Sequence, residues 1–317
     1  MTDCEVELPA LDGREPLGFL AALGVLRLLA DEAGTAARLR FSDRTASALI
    51  TSPFPDLDAV ADALVRAATG TDALIPGAPA DFPAAKAGTG ADPMRVSRRR
   101  LSELYQRWTG DRQAERWLSV LLTDLAEDNA GRVALTPYSA PSGQQSLRTF
   151  FEKPVAAVRA EPGRIREALA GWRRVDGFTG EYLDHRVLRS AADHPRGASV
   201  EAGVPGATWL AVMALPLFRL TGNGRTVAAT CWHRVSGRRE PVMVWPLWRR
   251  PLDLAAVQVL VEHPALRPGL NSGGQVSVKP DALPGLEVFL VCGAERQRVQ
   301  GRNFAGVLAP VPISGAR

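Results

Sequence analysis

The sequence has 317 residues, 46% hydrophobic and 23% charged, enough apolar material for one large core or two smaller ones. Its longest N-terminal apolar run, Pro16 to Ala30, is interrupted by Arg27 and too short to span a bilayer; no basic segment, apolar stretch and cleavage site opens the chain, so a cytoplasmic protein without membrane partners is expected. The net charge of +4 hides an asymmetry: residues 1–90 hold 13 acids and 7 bases, residues 91–317 hold 21 acids and 31 bases, and Arg outnumbers Lys 35 to 3.

In chain order, residues 3–8 alternate as a strand, and a turn-rich stretch leads to Pro16. The spacing predicts a helix from Pro16 to Ala33, with Pro in its first turn and Gly34 after its end. Leu17, Leu20, Leu23, Leu26, Leu28 and Leu29 make it apolar almost all round, the pattern of a buried helix. Gly18 and Gly24 inside it predict close approach of a neighbouring backbone. A short strand is expected over Arg38 to Asp43 and a helix over Asp56 to Ala68. Residues 70–94, rich in Gly, Pro and Ala, read as a loop or linker.

Beyond the linker, 97–128 reads as a long helical segment broken at Gly110, and Arg132 to Thr136 as a strand. Helices are expected from Ser142 to Val158, interrupted at Pro154, from Gly163 to Trp172, from Gly206 to Leu217, and from Asp253 to Glu262 with Asp253 as N-cap. Val227 to Val235 and Val242 to Trp248 read as strands of a hairpin joined by Ser236-Gly237-Arg238-Arg239. Leu286 to Val291 and Arg298 to Phe304 read as further strands. Helices and strands mix without a regular βαβ rhythm, so the expected class is α+β with short antiparallel sheets. Two lobes are expected: 1–90 around the buried helix, and a basic 91–317 lobe carrying the C-terminal β-hairpin.

Catalytic motifs do not assemble. There is no P-loop, no dinucleotide fingerprint and no nucleophile elbow. Cys4, Cys231 and Cys292 are far apart and odd in number, which suggests neither a zinc ribbon nor a disulfide framework. The pairs Asp184-His185 and Asp193-His194 could serve a metal-dependent nuclease, but Arg186 and Arg189 between them would oppose a cation. Neither an enzyme, a metal site nor a cofactor is expected.

The basic residues form three clusters. Arg98, Arg99 and Arg100 open a helix, where positive charge opposes the helix dipole and needs compensation by phosphate or by carboxylates such as Glu103. Arg234, Arg238 and Arg239 surround the hairpin tip, followed by Arg249 and Arg250. Arg296, Arg298 and Arg302 lie beside Asn303 and Phe304, a combination suited to RNA or single-stranded binding. The segmental charge favours an anionic partner. The seven tryptophans read mostly as core residues, with one or two left to meet a ligand.

The stretch Leu11-Asp12-Gly13-Arg14-Glu15-Pro16-Leu17-Gly18-Phe19-Leu20-Ala21-Ala22-Leu23-Gly24 resembles the N-terminal signature of proteins encoded in type I-G (formerly I-U) CRISPR loci, with Glu15 in place of the usual Asn. Ser142-Gly143-Gln144-Gln145-Ser146-Leu147 is similar to a Gly-Gln-Gln element of those proteins. Tyr182 to Arg189, Gly206 to Phe218 and Val244-Trp245-Pro246-Leu247-Trp248 resemble further elements in the same order, although the usual Trp-Asp is missing from the first of these. The resemblance implies a Cascade large-subunit-like protein. Such a subunit contacts the crRNA handle, reads a short PAM duplex in double-stranded target DNA, helps open it, packs against other Cascade subunits and recruits a helicase-nuclease. Base-edge and backbone chemistry then nominates Arg98, Arg99, Arg100, Gln144, Gln145, Arg148, Arg238, Arg239, Arg249, Arg250, Arg302 and Asn303 as contacts. The competing expectations are a metal-dependent processing enzyme using Asp184, His185, Asp193 and His194, and a structural scaffold subunit.

Overall fold

The structure, a computed structural model, describes residues 3–88, 90–128, 130–139, 146–188, 201–279, 281, 283–298 and 306–315. In chain order the first elements are β1 (Cys4–Asp12), α1 (Pro16–Asp31), β2 (Arg38–Phe41), β3 (Ser47–Ser52) and α2 (Leu57–Thr69). After the linker come α3 (Arg98–Trp108), α4 (Arg112–Leu121), β4 (Leu122–Glu127), β5 (Val133–Leu135), α5 (Leu147–Ala160) and α6 (Gly163–Ala170). Then follow β6 (Val175–Asp176), β7 (Ala202–Gly203), α7 (Pro205–Met213), β8 (Leu220–Gly222), β9 (Val227–Ala229), β10 (Trp232–His233) and β11 (Val242–Trp248). The last are α8 (Leu254–Val261), β12 (Gly269–Leu270), β13 (Val276–Ser277), β14 (Val288–Gln297) and β15 (Val307–Val311). This is an α+β fold whose sheets are antiparallel, as expected.

Two sheets frame the molecule. The first has the order β1-β3-β2, pairing Cys4 with Ser52 through Leu8 with Ala48. The second has six strands in the order β15-β14-β11-β10-β9-β8. Strand β11 is buried along its whole length. It carries Pro246, which cannot donate to a ladder, and it tolerates this because β10 pairs only with Val242 and Met243, so Pro246 has a strand partner on the β14 side alone.

Helix α1 lies between these sheets and α7. Every residue from Pro16 to Leu29 is buried, which explains its all-round apolarity. A Cβ on Gly24 would lie 1.8 Å from the Leu210 carbonyl oxygen in α7, so the absence of a side chain sets that helix contact. Arg27 breaks the apolar run without leaving the interior. Its Nε donates to the Met213 carbonyl at 2.5 Å, its Nη1 lies 3.3 Å from Asp31 and 3.7 Å from Glu32, and its guanidinium covers the Trp117 ring at 5.6 Å. Removal from water still lowers its pKa to about 10, and the two carboxylates keep it charged near neutrality.

The core continues across the expected division at residue 90. Phe19 stacks on Trp245 with ring centres 5.6 Å apart, and Phe41 meets Trp248 edge-on at 5.1 Å. Trp245 Nε1 donates to the Gly13 carbonyl at 2.7 Å, and Trp248 Nε1 to the Leu39 carbonyl at 2.8 Å. Residues from both sides belong to one hydrophobic cluster.

Several local expectations need correction. The segment expected to run as helix to 128 breaks at Gly110, at a φ of +94°, but then turns into strand β4, because Leu122 and Thr123 pair with Leu135 and Ala134 of β5. Strands β3 and β15 appear where none was expected. The helix expected from Ser142 begins, within the described residues, at Leu147 with Ser146 as its N-cap and keeps Pro154 inside it. Much of the strand expected over Arg298 to Phe304 lies outside the described residues. Among the described residues, no helix is long and apolar enough to cross a membrane.

Candidate nucleic-acid interface

The first basic cluster is compensated by carboxylates. Arg98 lies 3.4 Å from Glu127, Arg100 lies 3.1 Å from Glu103, and neighbouring Arg95 pairs with Asp128 at 2.9 Å. The duller of the two expected partners for the α3 N-terminus is therefore present. Arg99 is exposed and pairs with no described residue.

The second cluster divides. Arg238 and Arg239 precede β11, whereas Arg249 and Arg250 follow it, and seven extended residues separate the two ends by about 23 Å. The grouping of all four in one cluster is therefore corrected. Arg249 lies 3.2 Å from Asp43 and over the Phe289 ring at 5.1 Å, joining the two sheets. Arg250 is exposed beside an apolar groove that includes Trp248, Leu252 and Val259. Arg148 is also used internally, donating from Nη1 to the Pro83 carbonyl at 2.8 Å.

At the other end of β11 the fold brings together residues from separate clusters. The hairpin tip places Arg238 on Glu295 of β14. Glu240, just before β11, lies 3.8 Å from Arg239 Nε and 3.9 Å from Arg298 Nη2. Arg239 is 89% exposed and Arg298 70% exposed, so each carries a guanidinium in solvent, and the two share the single Glu240 carboxylate. Arg234 is exposed and pairs with no described residue.

Arg296 has a different role from its neighbours. Its Nη1 donates to the carbonyls of Tyr182 at 3.0 Å and Gly306 at 3.1 Å, and its Nη2 to those of Pro137 at 3.3 Å and Tyr138 at 2.9 Å. Burial lowers its pKa to about 10, and the charge of Glu181 opposes that drop. Gly180, Glu181 and Tyr182 are three successive left-handed residues, with φ of +58°, +50° and +56°, a strained run whose last carbonyl Arg296 holds. One guanidinium thus pins together Tyr138, Tyr182 and Gly306. Gln144, Gln145, Arg302 and Asn303 themselves lie outside the described residues.

The residues of the competing metal-site reading do not come together among the described residues. Asp184 accepts from Arg174 Nη2 at 2.5 Å and from the Arg186 backbone N–H at 2.8 Å. His185 Nδ1 is 3.9 Å from Glu15 and has no hydrogen-bond partner among the described residues. Asp193 and His194 lie outside the described residues, and among those described no three His, Cys, Asp or Glu side chains converge to hold a metal ion. Six tryptophans are core residues; Trp172, half-buried under Arg186 at 5.9 Å, is the exception.

Sequence reasoning missed a cleft beside the hairpin base. It is lined by Arg219, His233, Arg234, Glu262 and Arg267, which come from three separate parts of the chain. No local motif announces it, because only the pairing of β8, β9 and β10 and the packing of α8 bring these residues together. No protein-family model matches the sequence, and no curated protein matches it.

Proposed function

We propose that this chain is a non-catalytic nucleic-acid-binding subunit of a type I crRNA-guided CRISPR surveillance complex, similar to a Cascade large subunit and acting in the cytoplasm. Its ligands are crRNA and double-stranded target DNA near the PAM. Its protein partners are other Cascade subunits and a helicase-nuclease. The observation that carries this reading is the gathering of Arg234, Arg238, Arg239 and Arg298 at one end of the six-stranded sheet, with Glu240 and Glu295 the carboxylates these arginines contact. Exposed guanidinium groups on a ribbon tip suit phosphate contacts that set register, with any base readout by Arg confined to bidentate contacts to guanine.

A scaffold subunit is the second reading. It is supported by the number of arginines beyond residue 90 that carboxylates or carbonyls already engage, including Arg116 on Asp31, Arg166 on Asp58 and Arg159 on the carbonyls of Ala68, Thr71 and Ala73.

Fluorescence anisotropy with a labelled duplex across a salt series separates the two readings. The intact chain should show a linear fall of log affinity with log salt. The double variant Arg239→Ala, Arg298→Ala should flatten that slope by about 0.9 for each phosphate it no longer neutralises. A slope unchanged in the variant removes the sheet end from the interface, and no salt-dependent binding at all favours the scaffold.

A further inference from the structure

The cleft beside the hairpin base has a volume of about 380 Å³, with strands β8, β9 and β10 on one side and the end of α8 on the other. Its carboxylate is already engaged. Glu262 accepts from Arg219 Nε at 3.1 Å, from Arg219 Nη2, and from the Thr230 hydroxyl at 2.7 Å. The Thr230 hydroxyl in turn accepts the Arg219 backbone N–H at 2.8 Å. The remaining charged groups are Arg234 and Arg267, both exposed, and neither pairs with a described residue.

The lining also has an unmet polar atom. His233 Nε2 is shielded from solvent and has no hydrogen-bond partner among the described residues. His263, the other histidine of the cleft, already accepts the Ala265 N–H at its Nδ1, at 3.2 Å. The His233 Nε2 is turned away from the open space of the cleft, which the rest of the half-buried ring lines. Burial first, and then the charge of Arg267, lower the His233 pKa to about 4, so the ring is neutral and offers a single N–H.

We propose that this cleft binds a phosphate group, with Arg234 and Arg267 gripping its oxygens and the His233 ring lining the wall beside it. The volume lies within the range of small-molecule sites and leaves room for more than the phosphate itself. Two cations not neutralised by neighbours suit an anion with several acceptor oxygens. The chemistry is shared by a strand's phosphodiester and by a free phosphate. The strand as source rests on the nucleic-acid reading above; the phosphate site itself does not.

The test uses the full chain, with the imidazole of His233 followed by nitrogen-resolved NMR. Inorganic phosphate and a short single-stranded oligonucleotide are titrated separately. An uncharged methylphosphonate version of the same oligonucleotide is the control. Either charged probe should shift the His233 signals, and Arg267→Ala or Arg234→Ala, both at exposed positions, should weaken its binding about tenfold. A response to the oligonucleotide but not its methylphosphonate identifies a strand as the source. A response to inorganic phosphate alone supports the cleft and removes the strand. If neither probe moves His233, or if both arginine variants bind as the native chain does, the site is overturned. That result could coexist with normal salt-dependent duplex binding at the hairpin tip, so the two readings fail separately.

Discussion

Two titratable side chains, Glu181 buried and His233 half-buried, pull stability in opposite directions as pH changes. Glu181 is buried in the left-handed turn, and loss of water raises its pKa from an ordinary 4.5 to about 7 despite the charges of Lys153 and Arg296. An acid whose folded pKa is raised is relatively stabilising below its unfolded value, and that advantage is lost as pH rises through about 7. His233 acts in the other sense. Its folded pKa of about 4 lies below the usual 6.5, so it is fully stabilising above 6.5 and loses that contribution as pH falls towards 4. Between about 4.5 and 6.5 the two slopes oppose. Asp128, held to about 2 by hydrogen bonds from Arg132 and Ala130, titrates below that window. The variant Glu181→Gln should therefore convert a shallow dependence into one where stability clearly rises with pH across 4.5–6.5, read from urea unfolding midpoints. If the native chain and the variant have parallel profiles, Glu181 does not titrate as its burial implies. None of this was legible in the sequence. Glu181 sits in an unremarkable Gly-Glu-Tyr, and only the fold gives it a burial and a neighbouring Arg296.

The elements were more legible than the residues, where one segment could decide its own conformation. Helix α1 is set by a continuous apolar run behind Pro16, and α2 and α8 by Asp56 and Asp253, whose side chains accept the Ala59 and Ala256 N–H groups. Strand β4 was not legible. Leu118, Leu121, Leu122 and Leu125 continue a helical spacing, and the chain leaves the helix because β5 and the turn after β8 offer backbone partners, including a bond of 2.7 Å from Gly224 N–H to the Leu125 carbonyl. The glycines of α1 were read as signs of close approach, and the structure supplies the approach. Gly24→Ala should destabilise the chain by about 3 kcal/mol, because the new methyl meets the Leu210 backbone and cannot be relieved by turning a side chain. Gly34→Ala is the comparison: its φ of +63° is unfavourable but the space around it is open, so it should cost roughly 1 kcal/mol. Urea midpoints that place the two in the reverse order would mean that α7 yields where it meets Gly24.

At the scale of the whole molecule, composition pointed to a division that packing does not respect. The acidic 1–90 segment and the basic remainder differ in charge, and a Gly- and Pro-rich stretch joins them, so two lobes were a natural expectation. Surface charge and linker composition are local properties, whereas burial depends on which faces meet. Here α1 and β2 meet tryptophans from the other segment. All seven tryptophans lie beyond residue 90, and three of them, Trp117, Trp245 and Trp248, pack against Arg27, Phe19 and Phe41. A fragment of residues 91–317 would expose those rings, and a fragment of 1–90 would expose α1, so neither should fold alone. Trp245 and Trp248 would also be deprived of the carbonyls of Gly13 and Leu39 that accept their indole N–H groups. Tryptophan emission reports this directly. The 91–317 fragment should emit at longer wavelength than the full chain and lack its near-ultraviolet circular dichroism. Adding the separately expressed 1–90 fragment should restore both, because the two segments meet at a buried interface that does not depend on the covalent link. A 91–317 fragment with native emission on its own would re-establish an autonomous basic lobe and would make α1 an appended element rather than the centre of the core.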